Sequence, residues 1–206
     1  MRLNKIEEIV KKLKSEPMEI KNKYSIFVPF IEVEKQTHLL FEVRSKNLNN
    51  QPGEICFPGG KIEKHEDYIQ AAIRETCEEL LISKVDLDVF NEGDFLVNSY
   101  GSVIYTTVGE ITKSIENIFP NKEEVEDIFT VPLNFFFENE PDIYEVELIA
   151  KRNDKFPYSL IPNGEKYDFK RSKDRVIFYQ YEDKIIWGFT AKVIYNLINK
   201  LKSNKI

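Results

Sequence analysis

Glu75, Glu78 and Glu79 fall at i, i+3 and i+4 in the segment GKIEKHEDYIQAAIRETCEELLI, residues 60–82. On a helix that advances about 100° per residue these three carboxylates share one side of the cylinder. Like charges at such spacings repel by about a few tenths of a kcal/mol per pair, and a divalent cation reverses the sign of that interaction. Clustered carboxylate oxygens are the ligand set of hard cations such as Mg²⁺ and Mn²⁺, which also hold phosphate oxygens. Arg74 directly precedes Glu75 and lies four residues before Glu78, placed to orient a carboxylate. Taken alone, R-E-x-x-E-E reads as a solvated charged stripe, and the longer context is what changes that.

The cluster needs a helix, and residues 66 to about 82 form the clearest one in the chain. Before it, a short strand EICF runs into Phe57-Pro58-Gly59-Gly60, where the backbone must turn sharply. Tyr24 to Val33, interrupted by Pro29, and His38 to Arg44 read as two strands of a hairpin joined at EKQT. Asp86 to Val97 and Ser102 to Ile111 flank a turn at Asn98 to Gly101, and Val125 to Leu133 is a further β-branched and aromatic run. Strands are also expected near Tyr144 to Lys151, Val176 to Tyr181 and DKIIWG, whereas Asn134 to Lys173 as a whole has no single period. Val193, Ile194, Leu197, Ile198 and Leu201 form one stripe of a last helix from Thr190 to about Lys202. Leu3, Ile6, Ile9, Val10 and Leu13 predict an amphipathic helix over residues 3–15, ending before Pro17 and packed on the main domain. Strands and helices interleave without a repeat or a low-complexity linker, which predicts one domain of α/β or α+β class.

At 206 residues and 24.3 kDa the chain suits that single domain, and 42% hydrophobic with 31% charged residues excludes bulk disorder. No apolar run is long enough to span a bilayer, and MRLNKIEEIVKKLK carries charges where a signal peptide needs an apolar stretch, so no membrane association and a cytoplasmic location are expected. Two cysteines, Cys56 and Cys77, are too few for a disulfide framework or a zinc site. A net charge of −6 disfavours sequence-independent nucleic-acid binding. From Glu116 to Glu147 ten acids face one base, Lys122, which reads as a solvated acidic face or as a source of one more metal ligand.

Gly60, five residues, Glu66, seven residues, then Arg74-Glu75-x-x-Glu78-Glu79 matches the pattern G-x5-E-x7-R-E-U-x-E-E-x-G-U, with U a bulky apolar residue. The sequence resembles a Nudix hydrolase. Thr76 stands at the first U and Leu81 at the second Gly. A leucine in left-handed geometry costs about 1–2 kcal/mol, so Leu81 is expected to continue the helix with negative φ and to bury its side chain with Leu80 or Ile82. Leu39-Leu40, Arg44-Ser45, Gly53 and Phe57-Pro58-Gly59-Gly60 are similar to the coenzyme A pyrophosphatase signature, roughly LLT-x-RS-x3-R-x3-G-x3-FPGG, and Ile185 to Ala191 (IIWGFTA) to that subfamily's IWG-x-TA. The signature's second Arg is Asn49, and its Thr is not obvious around Phe41.

The resemblance implies an α/β/α sandwich, a mixed sheet between helices, extending over residues 1–206 with an N-terminal helical extension at 1–23 and the box at 60–82. It implies metal-dependent hydrolysis, with Mg²⁺ or Mn²⁺, of the diphosphate of coenzyme A or acyl-CoA to 4′-phosphopantetheine, or its acyl form, and adenosine 3′,5′-bisphosphate. Glu78 and Glu79 would ligate metal, Glu75 would ligate metal or deprotonate water, Arg74 would orient Glu75, and Glu66 would support the helix. A backbone carbonyl of Gly59 or Gly60 would complete the coordination, Arg44 and Ser45 would meet phosphate or pantetheine, and Glu124 would add a metal-binding or basic carboxylate. The partner is then a small molecule, and the chain a monomer or homodimer. A Nudix hydrolase of another nucleoside diphosphate derivative, such as ADP-ribose or a dinucleotide, and a catalytically silent Nudix ligand-binding module are the alternatives. Lys61, His38 and His65 read as surface or loop residues, Cys77 as an idle thiol, and Trp187 with Phe189 as core anchors of the last helix.

Overall fold

The computed structural model describes residues 3–13 and 17–204. Its centre is β1 (Asn22–Val33), whose run IFVPFI is apolar on both faces because both are covered. Glu34 and Lys35, both at positive φ (50° and 65°), make a two-residue turn of the kind that matches strand twist, and β2 (Gln36–Arg44) returns antiparallel. β3 (Ile55–Cys56) pairs with β2, and β4 (Gly59–Lys61) pairs with the first part of β1. After α2 (Tyr68–Leu80), the edge strand β5 (Leu87–Val97) and β6 (Ser102–Ile111) form a hairpin, and β6 runs parallel to β1 from Asn22 to Ile31. β7 (Val125–Pro132) closes the other side against β2. Among the described residues this gives a seven-stranded mixed sheet.

β1 passes through Pro29 without a break. The Phe27 N–H donates to the Pro58 carbonyl at 2.9 Å, so two residues on the missing N–H of Pro29 faces the same edge. There β1 leaves β4 and has not yet met β2, so no ladder bond is lost.

α2 covers one face of the sheet, where Phe27, Ile31, Leu40, Ala72, Leu80 and Ile82 form a core. On the other face Val28, Leu39, Phe41 and Val131 pack with α3 (Leu133–Glu138), α4 (Gly188–Ser203) and a three-stranded antiparallel sheet of β8 (Asp142–Leu148), β9 (Ser172–Tyr181) and β10 (Lys184–Trp187). Helices on both sides of a mixed sheet, with an N-terminal helix α1 (Leu3–Val10), are the arrangement the sequence predicts. α3 is an addition: its six residues, LNFFFE, have too many aromatics and too short a span to show a helical period.

Three expectations need correction. Leu81 has φ 50° and ψ 45° and is 61% exposed, so α2 ends in the left-handed geometry usual for glycine there. The sharp exit lets Leu80 and Ile82, on either side of it, both enter the core, and that burial outweighs the local strain. Ile9, Val10 and Leu13 of the α1 stripe are exposed rather than packed on the domain; α1 ends at Val10, and residues 14–15 of the predicted helix lie outside the described residues. Trp187 is not a core anchor either. It is 42% exposed and stacks on Phe178 of β9.

Candidate active site

α2 opens with a reciprocal cap, in which the Gln70 N–H donates to the Asp67 carboxylate at 2.8 Å and the Asp67 N–H to the Gln70 side-chain oxygen at 3.0 Å. Thr76, polar at a position that faces the core, is fully buried and satisfies its hydroxyl by donating to the Ala72 carbonyl at 2.7 Å. The helix is thereby fixed in position, and its carboxylates diverge in environment.

Arg74 is held on one side by Glu66, through Nη2–Oε1 at 2.8 Å and Nε–Oε2 at 3.1 Å, and by the Lys61 carbonyl at 3.2 Å. Its Nη1 reaches Glu75 Oε1 and Glu78 Oε2, each at 3.0 Å. A two-point guanidinium–carboxylate pair fixes direction as well as distance. The Arg74 hydrogen bonds hold the Glu66 carboxyl below its usual range. Burial raises that of Glu75, with the charge of Arg74 opposing. Glu78, with a side chain 56% exposed, is the most solvated of the three helix acids.

Glu79 is 4% exposed, and its Oε2 accepts the Gly59 N–H at 2.8 Å. Burial, reinforced by the charges of Glu75 and Glu124, pushes its carboxyl up to about 8 despite that hydrogen bond and the charge of Arg44. Gly59 has φ 152°, and a Cβ there would collide with the carbonyl of Ser25 and the backbone of Ile26. A Cβ on Gly60 would collide with the Glu75 carboxylate itself. Gly59 is therefore required by backbone contact, whereas Gly60 keeps clear the space that the Glu75 carboxylate occupies.

Glu124 arrives on a loop tied at both ends. The Asn121 N–H caps the Glu79 carbonyl at 2.8 Å, and the Ser45 N–H donates to the Glu124 carbonyl at 2.8 Å. The other acids between Glu116 and Glu147 are spread over a 3-10 turn at Ile115–Asn117, the loops, β7, α3 and β8. Ser45 is fully buried, and its Oγ accepts the Asn47 N–H at 3.4 Å, so its contacts hold the turn after β2. Arg44, one residue earlier, lies close enough for its charge to act on Glu79 and Glu42.

Glu42 is the residue the sequence reading passed over. It is 1% exposed on β2, directly opposite Cys56 of β3, and burial followed by the charge of Glu79 raises its carboxyl well above the usual range. Its one sequence signal was a charge in LLFEVR at the alternate position that shares a face with buried Leu40.

Four carboxylates, Glu42, Glu75, Glu79 and Glu124, thus lie within electrostatic reach of one another, with Arg44 and Arg74 as the cations acting on them. Among the described residues no three His, Cys, Asp or Glu side chains already close around one point. Arg74 draws Glu75 and Glu78 together, and Gly59 holds Glu79. The donor set suits a hard divalent cation: carboxylates raised by burial and, after it, by one another's charge, one of them with an oxygen lacking any hydrogen bond. A cavity of about 650 Å³, mainly apolar, lies elsewhere, between the β5–β6 hairpin and α4 on the opposite face of the sheet. Another, of about 350 Å³, is lined by Val43, Gly53, Ile55, Lys184 and Trp187, next to the strand of Arg44.

Among the described residues no helix is long and apolar enough to cross a membrane. Nudix hydrolase 3 of Caenorhabditis elegans is 24% identical over 86% of this chain and 72% of its own length. The peroxisomal coenzyme A diphosphatase NUDT7 of Mus musculus is 32% identical over 66% of this chain, which spans 56% of that protein. The crystal structure of a MutT/nudix family protein from Enterococcus faecalis shares the fold, with a TM-score of 0.50 at 13% identity over 98% of this chain and 70% of that one. A family model described as the NUDIX domain matches residues 21–148, the stretch that contains β1 to β8 and the whole carboxylate helix, and the chain belongs to that family of hydrolases.

Proposed function

We propose that this Nudix hydrolase cleaves the diphosphate of coenzyme A or an acyl-CoA, releasing 4′-phosphopantetheine or its acyl form and adenosine 3′,5′-bisphosphate. The observation that carries the proposal is the conjunction of Arg44-Ser45, Gly53 and Phe57-Pro58-Gly59-Gly60 with the box. The identity with a relative named as a coenzyme A diphosphatase supports it. Nudix hydrolases need divalent cations. Here Glu75, Glu78, Glu79 and Glu124, with a carbonyl of Gly59 or Gly60, would hold them, and the bound ion would neutralise diphosphate oxygens and lower the pKa of water.

The protein's own part is positioning. Glu66 fixes Arg74, Arg74 fixes Glu75, and Gly60 leaves room for the Glu75 carboxylate. Burial raises the proton affinity of Glu75, which suits it to take the proton of the attacking water. Arg44, whose strand borders the carboxylates, is the group proposed to meet a substrate phosphate.

Asn49, exposed in the loop where the coenzyme A signature has its second Arg, favours a second reading, hydrolysis of another nucleoside diphosphate derivative. Products from coenzyme A, ADP-ribose and NADH with Mg²⁺ or Mn²⁺ separate the two. Coenzyme A should have the highest kcat/KM, and Arg44→Ala should weaken that preference. Faster turnover of ADP-ribose would keep the family and remove the substrate assignment, and no turnover of any diphosphate would leave the ligand-binding module.

A further inference from the structure

Glu42 is the most deeply buried acid of the site, with 1% of its surface exposed, and its Oε1 has no hydrogen-bond partner. It sits on β2 on the face turned toward α2, in the same alternation as Leu40, which belongs to the core beneath that helix. Arg44, two residues on and therefore on the same face, has a buried Nε that also lacks a partner. Among the described residues no ion pair joins Glu42 and Arg44. A carboxylate out of water is expensive unless paired, and the groups acting on Glu42 are chiefly other acids, Glu79, Glu124 and Glu75, against the single charge of Arg44.

In the coenzyme A signature the position two before the Arg of the RS pair is Thr. Aligned on Arg44-Ser45, with Phe41 as one extra residue after Leu39-Leu40, Glu42 stands there. This chain has therefore placed an acidic side chain at a buried position where the pattern carries a hydroxyl, and the next signature Arg is also gone, at Asn49. Cys56, directly across on β3, brings no positive charge.

We propose that Glu42 is an additional carboxylate ligand of the divalent-cation site, reaching it from β2 beneath the acids of α2. The inference rests on the metal-dependent reading above and deepens it. Oε1 is a free donor oxygen, Glu79 is the acid that acts on it most strongly, and a cation shared with Glu79 would satisfy both. Such a ligand raises the negative charge of the site by one and favours tighter retention of the ion.

The test is Mn²⁺ binding, followed by the free-ion signal in electron paramagnetic resonance, for the wild-type chain, Glu42→Gln and Glu42→Thr, together with thermal melts with and without Mn²⁺. Glu42→Gln keeps size and shape, and Glu42→Thr restores the signature residue, so at least one variant should fold. The expected result is a tenfold or greater loss of affinity for one Mn²⁺ in both variants, metal-free melting temperatures equal to or above wild type, and a smaller rise on adding Mn²⁺. Wild-type affinity and stoichiometry in Glu42→Gln would overturn the inference and leave the metal-dependent reading intact. So would weakened binding that appears only with a lower metal-free melting temperature, since that marks a structural role. Failure of the wild-type chain to bind Mn²⁺ would overturn both.

Discussion

The Glu79 carboxylate accepts the backbone N–H of Gly59 at 2.8 Å, joining the last turn of α2 to the glycine turn that opens β4. This bond ties the helix to the first residue of β4. Glu79→Gln preserves it, because the amide oxygen can still accept, but removes the charge. We expect turnover to fall at least a hundredfold, on the order of 3 kcal/mol in the barrier, with an unchanged circular dichroism spectrum. The metal-free variant should melt no lower than wild type, since the amide replaces a buried carboxyl whose ionisation burial and the charges of Glu75 and Glu124 already oppose. Near-wild-type turnover at saturating Mg²⁺ would remove Glu79 from the essential ligands.

Gly60→Ala tests the clearance for Glu75. The φ of Gly60 is not positive, so the backbone accepts alanine, but the new Cβ meets the Glu75 carboxylate. That carboxylate is the far end of a flexible side chain and can move aside at little cost in stability. Moving it is costly for positioning, where small displacements lower rate steeply. Turnover should drop about tenfold or more, ~1.4 kcal/mol, while the melting temperature hardly changes. Unaltered kcat would mean that Glu75 is not placed by this contact.

Glu66 offers a pH test away from the acids assigned to metal. Its folded carboxyl is held below the usual value of 4.5 by the Arg74 hydrogen bonds. A depressed acid contributes stability that is present above the unfolded value and is lost as pH falls through the folded one. Wild type should therefore exceed Glu66→Gln in stability at pH 6, and the gap should close below pH 4.5. Urea unfolding of both chains across this range measures it. A gap that is independent of pH would show that the Glu66–Arg74 pair contributes by packing alone.

The carboxylate helix was legible because six box positions at fixed spacing constrain one another; its cap at Asp67, which starts α2 at Tyr68 rather than at residue 66, was not read. The strands were legible by alternation, to within a few residues at their ends. Glu42 was not, since a single acid inside an apolar strand looks the same whether it faces water or another acid; only the register that sets Glu42 against Cys56 and beneath Glu79 decides it. α1 is present, but its expected packing was not legible for a related reason. Its stripe of Ile9, Val10 and Leu13 reports the capacity to bury a face, not the presence of a neighbour to bury it against. The fold of Glu124 toward the site was hinted at by a run of acids but depends on the Asn121 and Ser45 backbone bonds, which no side-chain pattern encodes.

Leu81 is where local preference and tertiary demand conflict most openly. Its φ of 50° is one that non-glycine residues adopt at a cost of about 1–2 kcal/mol, and its side chain, 61% exposed, recovers little of that by burial. A helical Leu81 would keep Ile82 on the helical path, whereas the left-handed exit lets Ile82 join Leu80 and Ala72 in the core. Leu81→Gly should consequently stabilise the protein. Relief of the strain exceeds the loss of a mostly exposed side chain and the greater freedom of glycine in the unfolded chain, leaving a net gain of about 1 kcal/mol and a rise in melting temperature of roughly 2–4 °C for a chain of this size. The opposite geometry, a buried helical leucine, would make the same substitution cost about 2–4 kcal/mol, so the sign of the shift in a thermal melt separates the two. Turnover should stay within about twofold of wild type, because the Glu79–Gly59 bond and the Asn121 cap on the Glu79 carbonyl both precede the residue being changed.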